Sequence, residues 1–331
     1  MESTYRDALR QALIDEMTEN PDVIVLGEEV GRYGGAYGVT KGLIEMFGAG
    51  RLIDTPISEA AIIGAAIGAA MTGLRPVAEL MYVDFAGLTM DQVANQAAKS
   101  RYLFGGQIGV PMVLRSQGGT GRSGAAQHSQ SLEAWFTHIP GLRVVMPATV
   151  NDAYHLLRAA LKQPDPVVFL EHKGLYVRKG DLDTTKPDAP WGEALIRRKG
   201  RDITIVAWSK MVFEALTAAD TLAAQGVEAE VIDLRSLNPL DGETVYASVA
   251  RTSRALIASE AALTGGFAAE MSARISERCF DWLEEPVLRV AGEDIPIPVS
   301  PALERGSVPT AALIAETALW AVARIKPSWA A

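Results

Sequence analysis

Glu59 is the carboxylate whose surroundings say most about chemistry. It follows the β-branched run 51–55 and Pro56 and opens the uncharged stretch Ala60–Leu74, with Arg75 the next charged residue. A carboxylate at the head of a buried segment has a raised pKa and can exchange protons near neutrality. The plainer reading is an acid that stabilises a helix N-terminus through the macrodipole, with Ser58 as the cap. Both readings stand on the sequence alone. The acid–base candidates of the other kind are His128, His138, His155 and His172. His155 falls inside a helical pattern and reads as packing or surface, and His138, before Ile139-Pro140-Gly141, reads as a turn residue. His128, in Gln127-His128-Ser129-Gln130, follows a glycine loop, where an imidazole serves either as a mobile acid–base group or as loop packing. His172 follows the run 167–170 and so stands at the end of a strand.

The loop itself, Gly119-Thr120-Gly121-Arg122-Ser123-Gly124, matches G-x-G-x-x-G. A dinucleotide fingerprint also needs an acid at the end of the next strand to hold the ribose. Here that strand, 143–146, ends in Pro147. The sequence contains no Gly-Lys-Ser/Thr phosphate loop and no H-E-x-x-H metal spacing. The loop is read instead as a glycine segment that lets the backbone approach a ligand or partner.

Short β-branched runs at 23–26, 51–55, 76–80, 111–115, 142–146 and 167–170 alternate with helical patterns at 4–19, 58–72, 90–101 and 150–162. That alternation predicts βαβ units around a parallel sheet. A polar, proline-bearing stretch at 178–190 interrupts it, and the alternation restarts with strands at 203–207, 229–232, 255–258 and 287–290 and helices at 211–224, 265–277 and 310–324. The predicted architecture is α/β, two successive doubly wound domains at 1–178 and 191–331 joined by a linker at 179–190. Glu59 and His172 then lie at carboxyl ends of strands, where open α/β sheets bind ligands. The chain has 331 residues, 31 Lys+Arg against 40 Asp+Glu, a net charge of −9 and 48% hydrophobic residues. Those figures exclude intrinsic disorder and argue against nucleic acid as a partner. Ala60–Leu74 is shorter than the ~20 apolar residues of a membrane span. Residues 1–7 carry acids and no apolar core, and Cys279 is the single cysteine. We therefore expect a cytoplasmic protein without a membrane partner, a leader, a disulfide framework or a thiolate metal cluster.

Longer motifs carry a resemblance. Ile53-Asp54-Thr55-Pro56-Ile57-Ser58-Glu59, Gly64–Ala70, Gly73-Leu74-Arg75-Pro76, Asp91-Gln92, Gly105-Gly106-Gln107, Gln127–Gln130 and Pro140-Gly141-Leu142 resemble the β subunit of thiamine-diphosphate-dependent 2-oxo acid dehydrogenase E1. Val231–Asp241, Pro296-Ile297-Pro298 and Leu303-Glu304 are similar to the transketolase-type C-terminal domain. The likeness spans residues 4 to 325. It implies a thiamine-diphosphate pyrimidine-binding domain followed by that C-terminal domain. Glu59 matches the glutamate that hydrogen-bonds the aminopyrimidine and so promotes removal of the thiazolium C2 proton. Phe85 matches an aromatic that packs on the pyrimidine, and Glu28 a residue facing the cofactor. His128 matches a loop histidine that assists acyl transfer to lipoamide. Met112, Ala160, Leu161, Gln163 and Asp165 match a monovalent-cation (K⁺) site of some relatives, most of it main-chain carbonyls.

The family binds diphosphate and Mg²⁺ through Gly-Asp-Gly followed by Asn-Asn, and this sequence has neither, since Gly180-Asp181 is followed by Leu182. The resemblance therefore implies that thiamine diphosphate is shared with an E1 α subunit, which holds the Mg²⁺, in an α2β2 assembly. The net charge of −9 suits the basic peripheral subunit-binding domain of an E2 acyltransferase. The implied reaction is oxidative decarboxylation of a 2-oxo acid, with pyruvate first. Phe280–Leu283 with Pro286-Val287 is similar to the pyruvate branch. Gly38–Leu43, Asp84–Gly87 and Glu171-His172-Lys173 are similar to the acetoin-cleaving branch, and a branched-chain 2-oxo acid is the third alternative.

Overall fold

A computed structural model describes residues 1–324. The chain divides into two compact units, one of residues 1–118 with 135–191 and one of 119–134 with 192 onward. The stretch Gly119–Ala134 thus packs with the second unit although it lies within the first in chain order.

In the first unit six strands run parallel, in the order Arg143–Val145, Val167–His172, Val113–Gly118, Arg75–Leu80, Val23–Gly27, Leu52–Asp54. Strands covered on both faces read as unbroken apolar runs, and Val23–Gly27 is buried along its whole length. The chain moves outward from Val23–Gly27 to Leu52–Asp54 and then crosses back to Arg75–Leu80 on the other side. That reversal is the switch point at which open sheets form a crevice. The helices have explicit starts. Thr4 accepts from the Asp7 N–H at 3.1 Å to begin Tyr5–Glu19. Thr149 and Asp152 form a reciprocal capping box for Val150–Leu161. These two helices pack on each other. The polar stretch after 178 opens with a short strand, Lys179–Asp181, paired antiparallel with Glu2–Thr4. The helix expected over 90–101 is broken into a wide π turn, Asp91–Ala97, and a single turn, Ser100–Leu103.

The second unit has five strands in the order Leu288–Gly292, Ala255–Ala262, Ile203–Ala207, Ala229–Asp233, Leu195–Arg198, the last of them antiparallel. A helix not read from the sequence, Gly242–Thr252, starts at Asp241, whose side chain accepts from the Thr244 N–H. Among the described residues one run, Pro301–Ala323, has the length and apolarity to cross a membrane. It is two helices, Pro301–Gly306 and Ala311–Ala323, and Ile314, Ala315, Ala318 and Ala321 of the second are buried. That helix packs on Met211–Ala223, so its apolarity serves the core of this unit.

Candidate active site

Three adjacent strands of the first unit deliver side chains to the switch point. Val23–Gly27 leads directly into Glu28. A Cβ at Gly27 would lie 2.8 Å from the main-chain oxygen of Glu79, so only glycine lets the strand leave the sheet at this place. Beyond it, the Asp54 carboxylate accepts from the N–H groups of Gly31 and Arg32 at 2.6 and 3.1 Å. This ties the Glu28 loop to the strand end that leads into Glu59. Glu28 is 8% exposed. Burial pushes its carboxyl above the usual range, and the neighbouring carboxylates of Glu59, Glu29 and Glu79 push it further.

Glu59 is the first residue of the helix Glu59–Met71. Ser58 holds the N-cap position, but its side chain makes no capping hydrogen bond. Glu59 is half-buried, not enclosed as the uncharged run after it suggests. The reason is the facing of the helix: Ile62, Ile63, Ala66, Ile67 and Ala70 point inward, while Ala61, Ala65 and Gly68 are exposed. Glu28 is the buried member of the pair.

Phe85 lies on the turn Val83–Thr89 that follows Arg75–Leu80. Its ring meets Tyr82 edge-on at 6.1 Å, and Tyr82 shares a 3.2 Å hydroxyl–hydroxyl hydrogen bond with Tyr37. The sequence reading assigned no role to Thr55 or Gln92. Thr55 Oγ1 and Gln92 Oε1 are buried without a hydrogen-bond partner. The Thr55 N–H donates to the Gly27 oxygen at 3.0 Å, beside Glu28. Gln92 comes from the π turn and approaches Gly64 of the Glu59 helix. Wide turns of this kind are rare and frequent at functional sites, but no residue type announces them. Unsatisfied buried polar atoms on the segments that lead into and pack on the Glu59 helix fit a ligand with a polar, hydrogen-bonding ring edge.

His128 belongs to the second unit, in the segment Gly119–Ala134. It is half-buried, and its N–H donates to the Ala125 oxygen at 3.4 Å. The remaining histidines have local roles. His155 Nε2 lies 3.0 Å from the Asp183 oxygen, His172 Nδ1 accepts from the Gly174 N–H at 3.0 Å, and His138 is exposed.

Comparison with known proteins matches residues 1–179 to the transketolase pyrimidine binding domain and 192–314 to the transketolase C-terminal domain. Over 312 residues the chain is 47% identical to pyruvate dehydrogenase E1 component subunit beta-2, mitochondrial, of Oryza sativa subsp. japonica, covering 93% of this chain and 83% of the relative. The chain belongs to the transketolase-like E1 β-subunit family. Another member of similar likeness, the β subunit of an acetoin:2,6-dichlorophenolindophenol oxidoreductase of Cupriavidus necator, is 47% identical over 94% of this chain and 95% of its own length. A solved split-gene transketolase described as an inactive β4 tetramer superposes with a TM-score of 0.79 over 96% of this chain and 98% of that one. At 24% identity that likeness speaks to the fold.

In this E1 β subunit the residues matched to a cation site are already engaged. Arg75 Nη1 donates to the main-chain oxygens of Leu161 and Gln163 at 2.8 and 3.3 Å. The Met112 oxygen accepts from Val167 N–H at 3.0 Å and the Ala160 oxygen from Gln163 N–H at 3.1 Å. Asp165 is paired with both Arg101 and Arg143. Among the described residues no three His, Cys, Asp or Glu side chains form a group able to hold a metal ion.

Proposed function

We propose that this chain is the β half of an E1 enzyme that decarboxylates pyruvate oxidatively and passes the acetyl group to the lipoamide of an E2 partner. The observation that carries the reading is that Glu28, Glu59 and Phe85 each follow the carboxyl end of one of three adjacent parallel strands at the switch point of the sheet. Thiamine diphosphate, when bound, supplies the carbon nucleophile and the electron sink for decarboxylation. Glu59 would hydrogen-bond the aminopyrimidine and hold a proton against its ring nitrogen. Phe85 would cover the ring face, and Thr55 and Gln92 offer hydrogen bonds at its edge. Burial, with the neighbouring carboxylate of Glu59, pushes the Glu28 carboxyl above its usual range. His128 would act in the second half-reaction, moving a proton as the acyl group reaches lipoamide.

The sequence lacks Gly-Asp-Gly followed by Asn-Asn, so we assign the diphosphate and Mg²⁺ to an α subunit in an α2β2 assembly. The exposed small-residue stripe Ala61, Ala65 and Gly68, with Ile57 79% exposed beside it, supports a partner surface at the Glu59 helix. The acidic net charge supports docking on a basic E2 domain. A K⁺ site would draw on main-chain oxygens of Met112, Ala160, Leu161 and Gln163. With Arg75 and two further arginines already there, the residues fit it less well than they fit the pyrimidine. Acetoin cleavage is the second reading, because the acetoin-named relative is as similar as the pyruvate-named one.

The test is reconstitution with the α subunit, followed by assay with an artificial oxidant on pyruvate, acetoin and a branched-chain 2-oxo acid. Pyruvate should give the highest kcat/KM, and a preference for acetoin would transfer the assignment to the second reading. The β chain alone should show no decarboxylation and no tight Mg²⁺-dependent binding of thiamine diphosphate in calorimetry. In the reconstituted enzyme His128→Ala should slow lipoyl-domain reduction by roughly 10²-fold or more, and more than the oxidant-coupled rate.

A further inference from the structure

The glycine loop that fails the dinucleotide pattern has a partner within its own unit. Its backbone alternates: Gly119, Gly121, Ser123 and Ala125 have φ of +82°, +95°, +53° and +56°, and the residues between them lie outside the left-handed region. Alternation of this kind turns successive N–H groups toward one side and creates an anion-binding nest. The anion belongs to the chain itself. Glu304 accepts from Gly121 N–H through Oε1 at 2.9 Å and from Ser123 N–H through Oε2 at 3.1 Å. Glu260 Oε1 accepts from Thr120 N–H at 2.6 Å. Glu304 is 3% exposed, on the short helix Pro301–Gly306, and Glu260, on the strand Ala255–Ala262, is 9% exposed.

Left-handed φ costs free energy at Ser123 and Ala125, so the loop holds this shape only if something over-determines it. Charge-assisted bonds from N–H groups to a buried carboxylate are about twice as strong as neutral ones and supply that constraint. Ala125, the last alternating residue, accepts the hydrogen bond from His128 N–H. That bond is made by the main-chain amide, at 3.4 Å, so the backbone that carries the imidazole leaves directly from the nest.

We propose that Glu304 is a positioning residue for His128: its carboxylate fills the nest of the 119–125 loop and fixes the imidazole for acyl transfer, with Glu260 as a second anchor. The proposal rests on the role given to His128 above, and its test separates the two. In the enzyme reconstituted with the α subunit, Glu304→Ala should accelerate hydrogen exchange at the Gly121 and Ser123 amides. It should also lower lipoyl-domain reduction by about 10²-fold, toward the level of His128→Ala. The double variant should be no slower than His128→Ala alone, because both act through one group. Sodium acetate, a carboxylate small enough to enter the emptied nest, should restore activity to Glu304→Ala and not to His128→Ala. Should Glu304→Ala fail to fold, Glu304→Gln keeps the volume, turns an amide NH₂ toward an N–H, and should give the same exchange and rate pattern without acetate rescue. Unchanged amide exchange, or a loss that adds in full to that of His128→Ala, would overturn the anchor. Faster exchange with equal loss of both half-reactions in His128→Ala would keep the anchor and remove the acyl-transfer role.

Discussion

Two pairs of buried glutamates meet the same difficulty in different ways. In the first unit Glu79 and Glu171 share the Arg115 guanidinium, which donates one bond to Glu79 at 2.7 Å and two to Glu171, and the Tyr176 hydroxyl donates to Glu171 at 2.5 Å. In the second unit Glu304 takes main-chain N–H groups of one loop, and Glu260 takes another N–H of that loop and faces Lys210 Nζ at 3.6 Å. A side-chain partner can be deleted by one substitution, whereas a backbone partner exists only while the loop keeps its shape. The first arrangement ties three strands of a sheet together, and the second sets the conformation of a loop. Burial and the Glu171 charge push the Glu79 carboxyl up while Arg115 opposes them, so the sheet pair is one in which Arg115 carries most of the compensation.

The sharpest way to break that contrast is Arg115→Met, which leaves two buried carboxylates without their cation. Removing one partner of a buried charge pair costs about 3–5 kcal/mol. Urea unfolding of the isolated chain should show a loss of this size, and a variant as stable as wild type would contradict the account of the sheet. On the other side, Glu260→Gln keeps an oxygen for the Thr120 N–H and gives up the charge together with its 3.6 Å pairing to Lys210, which is partly solvent-exposed. It should cost about 1 kcal/mol in the same experiment, and a loss as large as that of Arg115→Met would erase the distinction. The smallest effect belongs to Glu28→Gln. The Glu28 carboxyl is raised in the folded chain, by burial first and by Glu59 second. Its protonated form is therefore favoured by folding, and this contribution is present below the ordinary glutamate range and lost as pH rises through the folded value. The amide variant should match wild type near pH 4 and be slightly more stable near pH 8. A variant less stable than wild type at pH 8 would contradict the raised carboxyl.

The sheet frames were legible because parallel strands buried on both faces leave continuous apolar runs, such as Val23–Leu26 and Ile203–Ala207. The strand Leu195–Arg198 was not, since it lies at an edge and half its residues are arginine. Gly242–Thr252 carries two Thr and two Val, poor helix formers that pack one face inward only in the folded unit. At the site, Glu59 could be found from its place after a strand and a proline. The burial of Glu28 depends on Gly27 lying against Glu79, a contact between strands far apart in sequence. The nest at 119–125 was legible only in part: Gly119 and Gly121 mark its first half, but Ser123 and Ala125 adopt the left-handed φ without being glycine, so the full alternation does not show in residue type.

The proposed role of Glu59, handling the proton on the pyrimidine side of thiamine diphosphate, is measured directly by C2 proton–deuterium exchange. Glu59→Gln preserves the shape of the side chain and removes its ability to share a proton with the ring nitrogen. In the enzyme reconstituted with the α subunit, exchange at C2 should fall by at least ~10²-fold while the cofactor still binds. Exchange at the wild-type rate in Glu59→Gln would contradict the account.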